Sequence, residues 1–151
     1  MTRGFTPRAL GEIAIRCRAM APMVRFYRDT IGLSILSGGE DAAITFFALG
    51  DSCAGHTAVL ALFGPSANTR PGLHPEGVPE TGARSSLHHL ALSLTYAEQD
   101  AVIAWYEAQR LTYRVEHFEW IGWRGIFTQD PEGNTVELVA KNPDWTAPQD
   151  G

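Results

Sequence analysis

The chain contains little cysteine. Among its 151 residues only Cys17 and Cys53 are cysteines, and no C-x-x-C motif occurs. Two isolated thiols do not make a disulfide framework, and a zinc site built from cysteines is not expected. Both cysteines lie in or beside apolar segments, which predicts two buried thiols.

Long apolar runs and clusters of positive charge are also missing. No segment approaches the roughly 20 apolar residues that span a bilayer. The formal net charge is −5 and there is no run of lysine and arginine, so neither a membrane nor a nucleic acid is an expected partner. No apolar stretch precedes Pro7, which predicts no signal peptide and a cytoplasmic protein.

What the chain does contain is enough apolar material for a packed core. Hydrophobic residues make up 44% and charged residues 19% of the sequence. Apolar and polar residues alternate over 10–17 and 87–94, which predicts strands, and apolar residues at helical spacing predict helices over 20–31 and 96–110. Further strands are predicted over 33–37, 42–49, 57–63, 113–119, 124–129 and 135–140. Residues 64–84, rich in proline and glycine, predict a linker, and the tail from Lys141 is expected to be loose.

The two halves of the chain repeat each other. Four landmarks recur in the same order and at nearly constant offsets: Glu12-Ile-Ala-Ile with His89-Leu-Ala-Leu, Phe26-Tyr27 with Trp105-Tyr106, Asp51 with Asp130, and Ala61 with Glu137. Such a repeat indicates a duplicated structural unit. We therefore predict an α+β protein of two tandem βαβββ modules, over residues 9–63 and 87–140, joined by the linker 64–84.

Three segments resemble the vicinal-oxygen-chelate superfamily, which includes glyoxalase I, bleomycin-resistance proteins and type I extradiol dioxygenases. The segments are Glu12 to Leu33, the run His88-His89-Leu-Ala-Leu, and Trp123 to Leu138. The resemblance implies that the eight strands curve around a shared cavity that holds a small molecule. Edge strands of such units tend to pair between chains, so a homodimer is expected.

The resemblance also implies positions for a metal site. In metal-binding members of the superfamily, the ligands come from the first and last strands of each module, which here are Glu12, Ala61, His89 and Glu137. Ala61 cannot bind a metal, and Glu12 stands where histidine is usual. Glu12, His89 and Glu137 remain as candidate ligands for a divalent metal such as Fe, Mn, Zn, Ni or Mg. Without a metal, Glu12 could pair with Arg16 or Arg124, and His89 could be a neutral core histidine.

Other residues are candidates for catalysis and substrate binding. Glu137 and His117 are the candidates for catalysis. His117 could point into the cavity as a proton carrier, because histidine titrates near neutral pH, although a surface histidine is an equal alternative. Trp120, Trp123 and Phe47 could contact a flat or apolar substrate, or belong to the core. Arg124 could bind a carboxylate or phosphate, or pair with Glu137 or Asp130.

Two functions compete at this stage. The first is a divalent-metal-dependent lyase, isomerase or dioxygenase that acts on a small oxygen-rich molecule, which the pair His89 and Glu137 favours. The second is a metal-free protein of the bleomycin-resistance type that sequesters a drug or aromatic molecule, which Ala61 and Glu12 favour. An accessory domain that works through dimer contacts is a third, weaker alternative. The sequence leans towards the enzyme.

Overall fold

The computed structural model describes residue 4, residues 7–67, residue 87 and residues 89–147. The chain divides into two compact units, unit 1 (Met1–Glu76) and unit 2 (Gly77–Gly151). Unit 1 contains strand β1 (Glu12–Arg16), helix α1 (Met20–Arg25), a π-helical segment (Phe26–Thr30), and strands β2 (Ile35–Ser37), β3 (Ile44–Asp51) and β4 (Thr57–Phe63). Unit 2 contains strand β5 (Leu90–Ser93), helix α2 (Gln99–Ala108), and strands β6 (Arg114–Phe118), β7 (Trp123–Gln129) and β8 (Thr135–Lys141). Residues 68–84 of the predicted linker lie outside the described residues, and the module boundaries stay a prediction.

The eight strands belong to two sheets of four with the same topology. The strand order is β1-β4-β3-β2 in unit 1 and β5-β8-β7-β6 in unit 2. In each sheet the first strand runs parallel to the last, and all other neighbours are antiparallel. A helix follows the first strand in both units. The predicted α+β class with two tandem βαβββ modules is confirmed.

The registers of the two sheets coincide, which defines equivalent residues in the two modules. In each sheet, one row runs across the first strand, the last strand and the strand before it. The matching rows are Ala14, Ala61 and Phe46 in unit 1 and Ala91, Glu137 and Phe127 in unit 2. Ala61 and Glu137 therefore occupy the same place in their modules, as the sequence repeat indicates.

The helical segment of unit 1 supplies much of that unit's core. Met23 and Tyr27 are fully buried, and the ring of Tyr27 lies 6.0 Å between centroids from that of the equally buried Phe47 in β3. The last turn is π-helical, because the Ile31 N–H donates to the carbonyl of Phe26, five residues earlier, at 3.0 Å. The predicted helix over 20–31 thus has nearly the observed extent, with a wider final turn.

In unit 2, Gln99 joins helix α2 to the sheet. Thr95 and Glu98 form a capping box ahead of the helix, a pattern that the sequence displays as T-x-x-E. The fully buried Gln99 follows, and its Nε2 donates to the carbonyls of Arg124 at 2.6 Å and Leu138 at 3.1 Å.

None of the helices in the described residues has the length and apolar character needed to cross a bilayer.

Two local predictions are wrong. Cys17 is buried as expected, but Cys53 is exposed, because it lies in a short helical turn after β3. Residues 141–147 are also more ordered than expected. Strand β8 includes Lys141, and Trp145 Nε1 donates to the carbonyl of Glu119 at 2.6 Å, which holds this segment against the turn between β6 and β7.

Candidate functional site

A histidine and a glutamate lie together on the sheet of unit 2. His89 directly precedes β5, which runs parallel to β8, and Glu137 lies in β8 opposite Ala91. His89 Nε2 is 3.3 Å from Glu137 Oε2. The His89 side chain is 35% exposed and the Glu137 side chain only 6%. The pair therefore offers an accessible imidazole next to a nearly buried carboxylate.

Glu137 is a buried acid, and no arginine or lysine among the described residues forms an ion pair with it. Burial raises the pKa of the Glu137 carboxyl, and the neighbouring His89 imidazole partly opposes that rise. A buried carboxylate needs a positive charge close by, because burying an unpaired charge is costly. A protonated His89 or a bound cation would supply that charge.

Phe127 and Gly125 of β7 border the Glu137 carboxylate. Phe127 is the register partner of Glu137, and its ring centroid lies 6.2 Å from that of His89. A Cβ atom on Gly125 would overlap Glu137 Oε1, so the missing side chain leaves room for the carboxylate. Neither residue is among the candidates that the sequence singles out. The only signal is the alternation of β7, which places both on one face with Trp123.

A cavity of about 670 Å³ opens beside Phe127 in unit 2. Small-molecule sites commonly have volumes of roughly 300–1,000 Å³. Arg114 and Glu116 line the cavity and form an ion pair with each other. The remaining lining residues are Leu111, Thr112, Tyr113, Thr128, Gln129 and Thr135. Phe127 borders both the cavity and the His89 ring, whereas His89 and Glu137 are not among the residues that line the cavity.

The sequence of the chain matches a known family. A model of the Glyoxalase/Bleomycin resistance protein/Dioxygenase superfamily matches residues 9–138. The chain belongs to this superfamily. No match is found among curated proteins.

Solved structures of glyoxalase-superfamily proteins share the fold. Lactoylglutathione lyase from Agrobacterium tumefaciens is 24% identical with a TM-score of 0.61, and the match covers 89% of this chain and 95% of that one. A glyoxalase/dioxygenase from Nostoc punctiforme is 21% identical with a TM-score of 0.61, over 94% and 99% of the two chains. The fosfomycin resistance protein FosX from Mesorhizobium loti is 17% identical with a TM-score of 0.56, over 95% and 96%. At sequence identities of 17% to 24%, the similarity to these three structures shows a shared fold alone.

Of the three metal ligands that the superfamily resemblance predicts, the structure brings two together, His89 and Glu137. Glu12 lies in β1 of unit 1, where it is exposed and forms no ion pair with any described residue. Within residues 7–67 and 89–147, no three His, Cys, Asp or Glu side chains form a group that could hold a metal ion. The role of Glu12 as a ligand stays a prediction.

His117 and Arg124 lie on the face of the unit 2 sheet opposite to Glu137. They are register partners in β6 and β7. Phe127 pairs with Glu137, and Arg124 lies three positions before it in the same strand, so strand alternation turns Arg124 to the other face. His117 is exposed there. The predicted roles of His117 in proton transfer and of Arg124 in substrate binding stay predictions.

Arg124 is held between the sheet and helix α2. Its Nε donates to Gln99 Oε1 at 2.6 Å, its Nη2 donates to Asp100 Oδ1 at 3.1 Å, and its guanidinium lies 4.4 Å from the centroid of the Tyr96 ring. None of the three acidic partners that the sequence suggests for Arg124 forms an ion pair with it in the described part of the chain. Those contacts explain how an arginine side chain that is only 14% exposed is accommodated.

The substitution Arg124→Met is expected to lower the free energy of unfolding by about 1–3 kcal/mol, because the carboxamide of the buried Gln99 loses a charged donor. Methionine keeps the apolar stem and removes only the guanidinium. Asp100 is 85% exposed, so the control Asp100→Asn should cost less than about 1 kcal/mol. Urea denaturation measures the free energy of unfolding of both variants. An equal or larger loss in Asp100→Asn would contradict the dominant role of the Gln99 contact.

The predicted aromatic contacts are spread over different environments. Trp120 is 73% exposed in the turn before β7, and Trp123 at the start of that strand is 43% exposed. Trp123 borders a second cavity of about 320 Å³, which is also lined by Tyr96, His117, Glu119, Gly122, Arg124, Asn142 and Trp145. Phe47 is fully buried in unit 1. Substrate binding by these three aromatic residues stays a prediction.

Proposed function

We propose that the chain is a divalent-metal-dependent enzyme of the glyoxalase superfamily, with His89 and Glu137 as metal ligands. The observation that carries the proposal is the 3.3 Å distance from His89 Nε2 to the oxygen of a carboxylate that is nearly buried. The proposed reaction is that of a lyase, isomerase or dioxygenase on a small oxygen-rich molecule. Glu137 is also proposed to serve in catalysis.

The two side chains fit a metal ion in chemistry and in spacing. One imidazole and one carboxylate suit Mn²⁺, Fe²⁺, Zn²⁺, Ni²⁺ or Mg²⁺ better than a soft metal. Two atoms bound at about 2.1 Å to one ion are about 3.0 Å apart at an octahedral angle and about 3.4 Å apart at a tetrahedral one. The distance of 3.3 Å between His89 Nε2 and Glu137 Oε2 lies within this interval.

The surroundings of the pair support a catalytic role. A bound divalent metal would polarise a carbonyl or other oxygen of the substrate. In the metal-free protein, burial raises the pKa of the Glu137 carboxyl, so the ionised carboxylate is stabilised by a nearby positive charge such as a divalent metal. The ring of Phe127 lies beside that of His89, and the cavity that adjoins Phe127 has the volume of a small-molecule site.

Three parts of the proposal rest on the sequence alone. These are Glu12 as a further ligand, the oxygen-rich substrate and the homodimer. Loss of metal in Glu12→Gln would support the first, and the mass in solution, measured by light scattering, would test the third.

A second candidate function is metal-free binding of a drug or aromatic molecule. It is supported by the position of Ala61, where the equivalent residue in unit 2 is Glu137, and by the exposed Trp120. Tight binding of an aromatic dye by protein that binds no metal in any preparation would favour this alternative over the enzyme.

Metal analysis of protein purified without chelator tests the proposal. We expect a near-stoichiometric divalent metal in the wild type and its loss in both His89→Ala and Glu137→Ala. His56→Ala is the matched control, because His56 is an exposed histidine of unit 1, and this variant should keep the metal. Metal in all three variants, or in no preparation of the wild type, would overturn the proposal.

A further inference from the structure

The two modules differ in side-chain size at two neighbouring positions of the sheet, and a large residue at one position is matched by a small residue at the other. In unit 1, Phe46 pairs with Ala61, and the residue two positions before Phe46 is Ile44. In unit 2, Phe127 pairs with Glu137, and the residue two positions before Phe127 is Gly125. In unit 1 the small Ala61 is therefore combined with a large side chain at position 44. In unit 2 the large Glu137 is combined with a glycine at position 125.

The structure gives a steric reason for this exchange. A Cβ atom on Gly125 would overlap Glu137 Oε1 and lie 2.8 Å from Cε2 of Phe127. The backbone at Gly125 is not in the left-handed region, so its conformation does not require glycine. Glycine inside a strand weakens it and often marks a close approach of another group. Here the approaching group is the Glu137 carboxylate.

We infer that Gly125 is a positioning residue for Glu137. It provides the space that Oε1 occupies, and this orientation directs Oε2 towards His89, 3.3 Å away. The consequence for metal binding rests on the proposed function, but the steric coupling between positions 125 and 137 does not. Because Glu137 Oε1 and Phe127 Cε2 both belong to side chains, we expect a methyl group on residue 125 to displace the carboxylate and the ring and to leave the strand in place.

The first test measures Mn²⁺ affinity by titration calorimetry. Gly125→Ala is expected to bind Mn²⁺ about 10- to 100-fold more weakly than the wild type, the usual effect of losing a group that orients a ligand. Its circular dichroism should match that of the wild type. Unchanged affinity in Gly125→Ala, in a wild type that binds Mn²⁺, would overturn the inference and leave the proposed function standing.

The second test needs no metal and reproduces the pairing of unit 1. With chelator present, Gly125→Ile is expected to lower the melting temperature in the wild-type background. In the Glu137→Ala background the same change should lower it much less or raise it, because the double variant recreates the combination of Ile44 with Ala61. An equal loss in both backgrounds means that the positions are independent and overturns the inference. If the wild type binds no Mn²⁺, the proposed function fails while this comparison still decides the role of Gly125.

Discussion

Replacing Glu137 by glutamine is expected to weaken Mn²⁺ binding by more than about 100-fold, since loss of a ligand exceeds the 10- to 100-fold effect of losing an outer partner. Glutamine has nearly the same shape, so the packing against Gly125 and Phe127 is kept. Titration calorimetry measures the affinity. Glu116→Gln is the matched control, because Glu116 is an acid on the same sheet that pairs with Arg114. That control should bind Mn²⁺ within a few-fold of the wild type.

The same substitution should stabilise the metal-free protein at neutral pH. Burial raises the pKa of the Glu137 carboxyl, so the folded chain holds this proton more tightly than the unfolded chain. The folded state therefore loses stability as the pH rises through the raised pKa. With chelator at pH 7, Glu137→Gln should melt above the wild type. The difference should shrink as the pH falls through the raised pKa, and it should be small below the ordinary glutamate pKa of about 4.3, where both side chains are neutral.

A combination of unchanged Mn²⁺ affinity and a lower melting temperature in chelator would contradict this account of Glu137. Such a result would mean that the carboxylate is stabilised by its surroundings and has no role as a ligand. Glu137→Gln is expected to weaken Mn²⁺ binding and to raise the melting temperature in chelator. This combination distinguishes a functional glutamate from a structural one, because binding sites often lower the stability of the protein that carries them.

Replacing Phe47 by alanine is expected to lower the free energy of unfolding by about 3–5 kcal/mol, the usual result for a large buried aromatic residue. Phe47 is fully buried, and its ring lies 6.0 Å from that of Tyr27 between centroids. Phe46→Ala is the control, since Phe46 is half-buried on the other face of the same strand, and its loss should be clearly smaller. Urea denaturation of both variants checks the order. A loss for Phe47→Ala no larger than that for Phe46→Ala would contradict a core role and favour the predicted contact with substrate.

The fold could be predicted from the sequence because two signals agree. Alternation of apolar and polar residues places the strands, and the near-constant offset of the repeat requires the second half to fold as the first does. Strand pairing then confirms the equivalence, since Ala61 and Glu137 occupy corresponding rows. The order of residues 141–147 was harder to predict, because contacts with distant residues decide it. Trp145, for example, is held by the carbonyl of Glu119.

The site was only partly predictable, because alternation within one strand does not give its register against the next. The sequence alone allows Arg124 to face Glu137. The pairing of Phe127 with Glu137 puts Arg124 on the other face, where Gln99 and Asp100 bind it. The role of Gly125 was also hidden, because it depends on the rotamer of a glutamate in the neighbouring strand.

The central claim is that His89 and Glu137 bind one divalent metal. Anomalous diffraction from crystals grown with Zn²⁺ tests it most directly. The account predicts a peak about 2.0–2.2 Å from both His89 Nε2 and an oxygen of Glu137. Anomalous density only at other residues, with His89 and Glu137 still 3.3 Å apart and no peak between them, would contradict it.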